Sequence, residues 1–202
     1  MNLEEQTQYI KNNFSGEVVV PEIENGNAII YIQKDDIVSF LNFVKKDKEL
    51  SFKILLDVFG IDTLTTKSTR FEVVYNLLSL KLNNRITIKV ALDEDEPLET
   101  ATSIFRSANW YEREIFDMYG IIFLNHPDLR RILSDYGFEG HPLRKDFPLT
   151  GYKELSYDNE QQKIVSKDVE LMQEYRNFDF DSPWEGTNYN LPGDEKAKDI
   201  NN

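Results

Sequence analysis

Both histidines of the chain lie in the same stretch as two carboxylates, and together these side chains could do chemistry. The set consists of Glu112, Asp117, His126 and His141. Imidazoles and carboxylates bind metal ions and act as general acids and bases. The spacing gives little support, because no two histidines lie four residues apart and each precedes a proline, which favours extended backbone. We predict no catalytic, metal-binding or cofactor-binding residue; the alternative is a stand-alone metal-dependent or acid–base enzyme built on this set.

The two carboxylates belong to a segment that predicts a helix of about three turns. Asn109 and Glu112 have the spacing of a capping box, in which a side chain and the backbone satisfy each other's free groups. Gly120 is typical of a left-handed cap at the carboxyl end. The sequence therefore predicts a helix that begins near Asn109 and ends at Gly120.

This helix has an apolar side and a charged side when residues are placed about 100° apart. The charged side carries Trp110, Arg113, Glu114 and Asp117. Arg113 and Asp117 are spaced as a surface ion pair, so we expect both side chains in solvent. An indole among solvated charges exposes much apolar area, and tryptophan is common at the centre of protein interfaces. Trp110 therefore indicates docking against a partner.

Residues 126–148, called the ribbon below, are punctuated by proline and glycine and predict an irregular extended segment. Its charges are balanced, although the chain as a whole is acidic. The cations are Arg130, Arg131, Arg144 and Lys145, and the acids are Asp128, Asp135, Glu139 and Asp146. Arginine forks suit carboxylates and carbonyls. The ribbon is interpreted as a recognition element for another macromolecule.

Composition narrows the classes of partner. The chain has 202 residues, 40% of them hydrophobic, and a formal net charge of −13. That charge argues against binding nucleic acid or an anionic membrane directly. Cysteine is absent, so the chain cannot ligate an iron–sulfur cluster through thiolates. No segment approaches the roughly 20 apolar residues of a membrane span, so we expect membrane contact only through partners and redox centres only in neighbours.

The remaining pattern predicts an α+β fold, a mostly antiparallel sheet with helices on one face, followed by an extended C-terminal arm. A short helix, a hairpin around Asn25 and Gly26, a helix after Asp36 and three strands between residues 52 and 92 precede the central stretch. We place one domain at 1–152 and a partner-binding tail at 153–202. The tail carries six Lys/Arg and twelve Asp/Glu with spaced aromatics, Trp184 among them, which is typical of an arm that anchors in partner pockets.

Three segments together resemble one known family. They are EREIFDMYGIIFLNHPDLRRIL at 112–133, GFEGHPLRKDFPLTGY at 137–152 and FDFDSPWEGTNYNLPGDEK at 178–196. The chain is similar there to the C subunit of proton-translocating NADH:quinone oxidoreductase, respiratory complex I. A signature this long and ordered is far more specific than a short pattern.

The resemblance implies a peripheral subunit on the cytoplasmic side of the inner (cell) membrane, in a hetero-oligomer. It would bind no flavin or cluster itself; FMN and iron–sulfur clusters would lie in partner subunits. It would brace the adjacent D subunit, which helps form the quinone pocket. An equivalent subunit of a related membrane-bound hydrogenase or plastid-type dehydrogenase is the nearest alternative.

The resemblance also assigns signature residues by their position in the motif. Their implied role is assembly and interface geometry, with Trp110 and Trp184 as further interface residues. The signature residues are Glu112, Arg113, Glu114, Asp117, His126, Asp128, Arg130, Arg131, Gly140, His141, Pro142, Arg144, Lys145 and Asp146.

Overall fold

The computed structural model describes residues 3–16, 18–24, 26–173 and 176. The chain divides into two compact units, the first ending at Tyr152 and the second beginning at Lys153. In the described part of the first unit the elements are α1 (Leu3–Asn13), β1 (Val18–Glu24), β2 (Asn27–Ile32), α2 (Ile37–Lys46), β3 (Ile54–Asp62), β4 (Phe71–Ser79), β5 (Asn84–Leu92), β6 (Leu98–Glu99), α3 (Ala108–Tyr119) and β7 (Phe123–Leu124). No helix in the described ranges is long and apolar enough to cross a membrane.

Five strands of the first unit form one sheet in the order β1-β2-β5-β4-β3. Neighbours pair antiparallel except β2 and β5, which run parallel. The predicted hairpin is β1–β2, whose register shifts between Val19 and Glu22, around the proline that interrupts its first arm. The predicted α+β class with a mostly antiparallel sheet is confirmed.

The core lies on one face of this sheet, because alternate residues of the strands point to the same side. Tyr75 pairs with Val58 on β3 and Ile88 on β5, and all three are buried. Helix α2 covers the same face with four apolar side chains at helical spacing: Ile37, Phe40, Leu41 and Val44. The face of α2 is the one that its sequence period predicts.

Helix α3 lies against the edge strand β3 and its neighbour β4. A Cβ at Gly60 would meet the Tyr119 ring at 2.8 Å, so only glycine allows this close approach without a shift. Tyr111 donates from its hydroxyl to the Leu56 carbonyl at 3.1 Å, and the rings of Phe71 and Tyr119 meet edge to face at 6.3 Å. These contacts fix the helix that carries the candidate site.

The described part of the second unit is a hairpin of β8 (Lys153–Asp158) and β9 (Lys163–Asp168), paired antiparallel. The tail therefore starts with a hairpin, whereas its composition predicts an extended arm over residues 153–202. The rest of the predicted arm, with Trp184, lies outside the described residues.

Candidate functional site

Asp117 is the anchor of the central stretch. Its Oδ2 accepts the backbone N–H groups of Ile132, Leu133 and Ser134 at 2.8–3.0 Å, and its Oδ1 accepts from the Ser134 hydroxyl at 2.7 Å and from Arg131 Nη1 at 3.1 Å. The side chain has no exposed surface. Burial raises the pKa of Asp117, but the hydrogen bonds from the ribbon outweigh burial and hold the pKa at about 2. Asp117 is a fixed anion that orders the ribbon.

Arg113 lies beneath the ribbon and is only 8% exposed. Its guanidinium donates from Nε to the Arg130 carbonyl at 3.1 Å and from Nη2 to the Arg131 carbonyl at 3.3 Å. The expected surface ion pair of Arg113 with Asp117 is wrong, since Asp117 pairs with Arg131. Arg113 and Asp117 are interior because the ribbon folds back over this part of α3, which helical periodicity cannot detect.

The ribbon also closes the carboxyl end of α3, where the last four carbonyls of a helix lack partners inside it. The carbonyls of Phe116, Asp117, Met118 and Tyr119 accept from Gly120 N, His141 Nδ1, Leu143 N and Arg144 Nε, respectively, at 2.6–3.1 Å. Burial lowers the pKa of His141, more than its bond to the Asp117 carbonyl raises it. Every orphan carbonyl of α3 is thereby satisfied.

Gly120 ends α3 with φ of +80°, as the sequence predicts for a left-handed cap. The space beside it is also filled. A Cβ at this position would meet His141 Nε2 at 2.6 Å and Arg144 Nη2 at 2.9 Å. Only glycine lets the ribbon approach so closely.

Arg144 joins the ribbon to the sheet. Beyond its bond to the helix end, it donates from Nη1 to Glu94 Oε1 at 2.9 Å and stacks over the Phe71 ring at 5.2 Å. Glu94 belongs to the acidic loop after β5, which sequence reasoning did not connect to the ribbon.

Asp146 and the Lys145 backbone attach the ribbon to the sheet at a second point, through Arg70 and Asp62. Arg70 Nη2 donates to Asp146 Oδ1 at 2.9 Å and to Asp62 Oδ2 at 3.2 Å, and Lys145 N donates to the same Asp62 oxygen at 2.7 Å. Asp62 and Arg70 are both buried. No local pattern in the sequence identifies these two residues, because their partners lie 76 and 83 residues further along the chain.

Glu112 is fully buried on the inner side of α3, among polar groups. Its carboxyl group accepts from Ala101 N at 2.7 Å and from the Thr100 hydroxyl. His126 Nε2 lies 3.8 Å from Glu112 Oε2 and donates to the Asn109 carbonyl at 3.1 Å. Burial raises the pKa of Glu112 to about 7, although the hydrogen bonds from Thr100 and Ala101 lower it. The predicted capping box of Asn109 and Glu112 is wrong, because Ser107 holds the N-cap position and Glu112 points inward.

The four side chains that could do chemistry form two separate pairs. Glu112 meets His126, whereas His141 binds the backbone carbonyl of Asp117 and not its carboxylate. No group of three metal-ligating side chains is found among the residues that the structure describes. His126 Nδ1 accepts from Asp128 N at 3.1 Å, so both ring nitrogens are engaged as in a neutral imidazole.

The other signature residues lie at the surface or shape the ribbon. Gly140, at φ of +91°, would place a Cβ 2.8 Å from the Phe147 ring, and its carbonyl accepts from Arg131 Nη1 at 2.9 Å. Arg130 and Asp128 form an exposed ion pair at 2.9 Å. Glu114 and Lys145 are exposed, and Pro142 is half-buried.

Trp110 is 65% exposed, as its position on α3 suggested. Arg113 lies under its ring at 5.3 Å. The indole borders a groove of about 650 Å³, lined also by Val38, Glu99, Thr100, Thr102, Ser103, Arg106, Asn109, Asn125 and Pro127. Several large apolar side chains of the ribbon are exposed as well: Leu133, Tyr136, Phe138 and Leu143. An apolar surface held on a rigid support is typical of a protein interface.

Comparison with known proteins assigns the family. Residues 30–153 match the family described as the 30 Kd subunit of respiratory-chain NADH dehydrogenase. The chain is 53% identical to the C subunit of NADH-quinone oxidoreductase from Chelativorans sp. (strain BNC1), and the match covers 94% of each chain. It is 50% identical to a C subunit of NADH-quinone oxidoreductase, numbered 1, from Rhizobium meliloti (strain 1021), with 97% of each chain covered.

Two solved structures share the fold. A trypsin-resistant fragment (1-134) of Nqo5 has a TM-score of 0.55 and 31% identity, covering 64% of this chain and all of the fragment. A chain of the membrane-bound sulfane sulfur reductase, an archaeal respiratory membrane complex, has a TM-score of 0.60 and 25% identity, covering 86% of this chain and 98% of that one. The chain therefore belongs to the family of the 30 Kd subunit of respiratory-chain NADH dehydrogenase, which includes the C subunits of NADH-quinone oxidoreductases.

Proposed function

We propose that this chain is a non-catalytic, structurally required peripheral subunit of an NADH-quinone oxidoreductase, in which it braces the adjacent D subunit beside the quinone pocket. Family membership supports its place in a multi-subunit oxidoreductase complex. The bracing role rests on one observation. Arg113, Asp117 and Arg131 use their hydrogen bonds to hold the ribbon, while Trp110 and apolar ribbon side chains face outward.

The chemistry of the buried groups supports a structural role. Both Asp117 oxygens are occupied by donors from the ribbon, and both nitrogens of His126 are engaged. A general base needs a free lone pair within hydrogen-bond reach of a substrate proton. Glu112 titrates near neutral pH, but it has no exposed surface from which to reach a substrate.

The same proposal assigns the electron-transfer groups to partner subunits. FMN and iron–sulfur clusters belong to partner subunits, and this chain contributes no thiolate to hold one. Within the proposed complex, the chain lies on the cytoplasmic side of the membrane and contacts the membrane only through its partners. The D subunit docks on the groove at Trp110 and on the exposed apolar side chains of the ribbon.

Purification from mild detergent tests the proposal, using the tagged chain expressed in its own organism. Flavin- and cluster-bearing chains and a D subunit are expected to co-purify with NADH:quinone reductase activity. A photo-crosslinking residue at Trp110 is expected to link to the D subunit, and the same residue at exposed Arg85 serves as a control. A chain that purifies alone, or one that turns over a substrate without partners, contradicts the proposal.

The alternative of a related membrane-bound complex has one point in its favour, the fold shared with the sulfane sulfur reductase chain. Sequence identity to that chain is 25%, against 48–53% to the NADH-quinone oxidoreductase relatives. The identity favours the NADH-quinone oxidoreductase. Oxidation of NADH by the purified complex, with no reduction of sulfane sulfur, discriminates the two.

A further inference from the structure

A second groove, which adjoins the groove at Trp110 through Ser103 and Arg106, carries positive charge on an acidic protein. It has a volume of about 450 Å³ and lies between the end of α2, the start of β3 and the segment that leads into α3. Its lining residues are Lys45, Lys53, Ile54, Leu55, Ser103, Ile104, Phe105, Arg106 and Ser107. Three of them are cations and none is a carboxylate.

The cations differ in how they are held. Lys45 is fixed, because its ammonium donates to the Ile104 carbonyl and lies 4.5 Å above the Phe105 ring. Lys53 and Arg106 are exposed, and in the part of the chain that the structure describes their side chains make no ion pair or hydrogen bond. One anchored cation and two free ones therefore share a groove whose base is formed by buried apolar side chains.

Exposed cations without a carboxylate partner also occur elsewhere among the described residues, as at Lys46 and Arg85, but here two of them line one groove together with Lys45. The chain has 36 acidic and 23 basic residues, and several cations elsewhere in the first unit have a carboxylate partner: Lys34 with Glu96, Lys67 with Glu72, Arg70 with Asp62 and Arg144 with Glu94. Free cations that repel one another are stabilised when anions approach from outside.

We propose that this groove binds an acidic segment of another protein subunit of the complex. Aspartate or glutamate carboxylates would pair with Lys53 and with the Arg106 fork, which can bind a carboxylate through two parallel hydrogen bonds. The hydroxyls of Ser103 and Ser107 offer further donors at the same rim. The groove has three cations, and one of them is already engaged, which is fewer than the cluster of Lys and Arg that an anionic membrane or a nucleic-acid backbone requires.

The proposal rests on membership in a multi-subunit complex but not on the bracing of the D subunit. The groove and the Trp110 face are separate tests, because the lining residues that they share are only Ser103 and Arg106. Lys53 lines only the cationic groove, so it is the residue to probe.

Zero-length carbodiimide crosslinking of the intact purified complex tests the proposal. The reagent activates carboxyl groups and joins them to a lysine amine in contact. We expect the peptide that holds Lys53 to be linked to an Asp or Glu of another subunit, in a segment of net negative charge. Lys53→Arg keeps the positive charge but has no reactive amine, so this variant should assemble normally and lose the crosslink. Lys46, exposed at the end of α2 outside the groove, is the matched control.

Charge reversal gives an independent measurement on the same complex. Lys53→Glu should weaken retention of the crosslinked subunit at raised salt by about threefold, since a charge pair becomes a like-charge contact. Lys46→Glu should change retention little. The groove proposal is overturned if Lys53 of the intact complex is crosslinked only within its own chain. It is also overturned if Lys53 becomes accessible after lipid extraction or nuclease treatment but not after a rise in salt. Either result leaves the proposed function standing. A chain that purifies alone overturns both.

Discussion

Arg131 donates from a single nitrogen, Nη1, to Asp117 Oδ1 at 3.1 Å and to the Gly140 carbonyl at 2.9 Å. One guanidinium therefore connects α3 to the ribbon in the middle of its length. Asp117 is fully buried and the Arg131 side chain is 28% exposed. A shielded pair of this kind differs from a surface pair, because removal of one partner leaves a buried charge without compensation.

Asp117→Asn is expected to lower the free energy of unfolding by about 3 kcal/mol, since it removes a buried charge that accepts from several donors. The ribbon near Ser134 should become sensitive to protease at the same time. Chemical denaturation and limited proteolysis of the purified chain measure both effects. Glu114→Gln, on the exposed side of the same helix, should change neither; equal stability of the two variants would contradict the anchoring role.

Protonation of Asp117 should contribute to the loss of stability of the chain at low pH. The folded-state pKa of about 2 lies below the ordinary value of 3.8, so this carboxylate stabilises the fold above pH 4. As the pH falls from 4 through 2, the contribution, about 2 kcal/mol, is lost. Stability curves of the wild-type chain and Asp117→Asn should converge over this window, and parallel curves would count against it.

Glu112 should act in the opposite direction. Its folded-state pKa of about 7 exceeds the ordinary value of 4.5, so the folded chain keeps a proton that the unfolded chain releases. Stability should fall as the pH rises from 4.5 to 7 by about 3 kcal/mol and then level off.

Glu112→Gln tests this directly, because the amide mimics the protonated carboxyl group. Melting temperatures of the variant should match the wild type near pH 5 and exceed it at pH 8. The difference arises from the ionised, buried carboxylate of the wild type. A variant that is less stable than the wild type at both pH values would show that the carboxylate is stabilised in the fold.

Gly120→Ala and Gly137→Ala form a matched pair. Both positions have φ near +80°, but an added Cβ meets His141 and Arg144 at Gly120 and nothing within 4 Å at Gly137. The backbone strain is about 1 kcal/mol at either position. Gly120→Ala should cost about 2 kcal/mol more than Gly137→Ala, because the ribbon must move. An equal loss of stability for the two variants in thermal denaturation would mean that the ribbon moves aside at no cost.

Trp110→Ala separates the interface from the fold. The indole is 65% exposed, so the isolated chain should lose less than about 1 kcal/mol of stability. The amount of assembled complex should fall severalfold and reductase activity should fall with it, as expected for an aromatic anchor at an interface. Full assembly with normal activity would exclude Trp110 from the docking surface.

Local patterns predicted most of the first unit's architecture. The apolar period of α2 and the turn signal at Asn25 and Gly26 correspond to the observed helix and hairpin, and the three strands predicted between residues 52 and 92 correspond to β3, β4 and β5. These features depend on neighbours within a few residues, which a sequence displays directly. The hairpin β8–β9 was not predicted, because its strands are only six residues long, mostly exposed and largely polar.

The sequence identified the residues of the candidate site but not how they are arranged. The signature marks Glu112, Arg113 and Asp117 as important, yet the helical pattern put Arg113 and Asp117 in solvent. All three are buried. Helical periodicity detects apolar faces only, so it reads a charged face as exposed even where another segment covers it.

The sequence by itself determined the α+β class, the family and the left-handed cap at Gly120, because each follows from residue types at short spacing. Only the tertiary structure decided that Glu112, Arg113 and Asp117 of α3 are internal. Asp117 meets its ribbon donors 14 to 17 residues later, and Arg70 meets Asp146 76 residues later. Such pairs become stable only when the folded chain removes water from both partners at once, and no local pattern encodes that event.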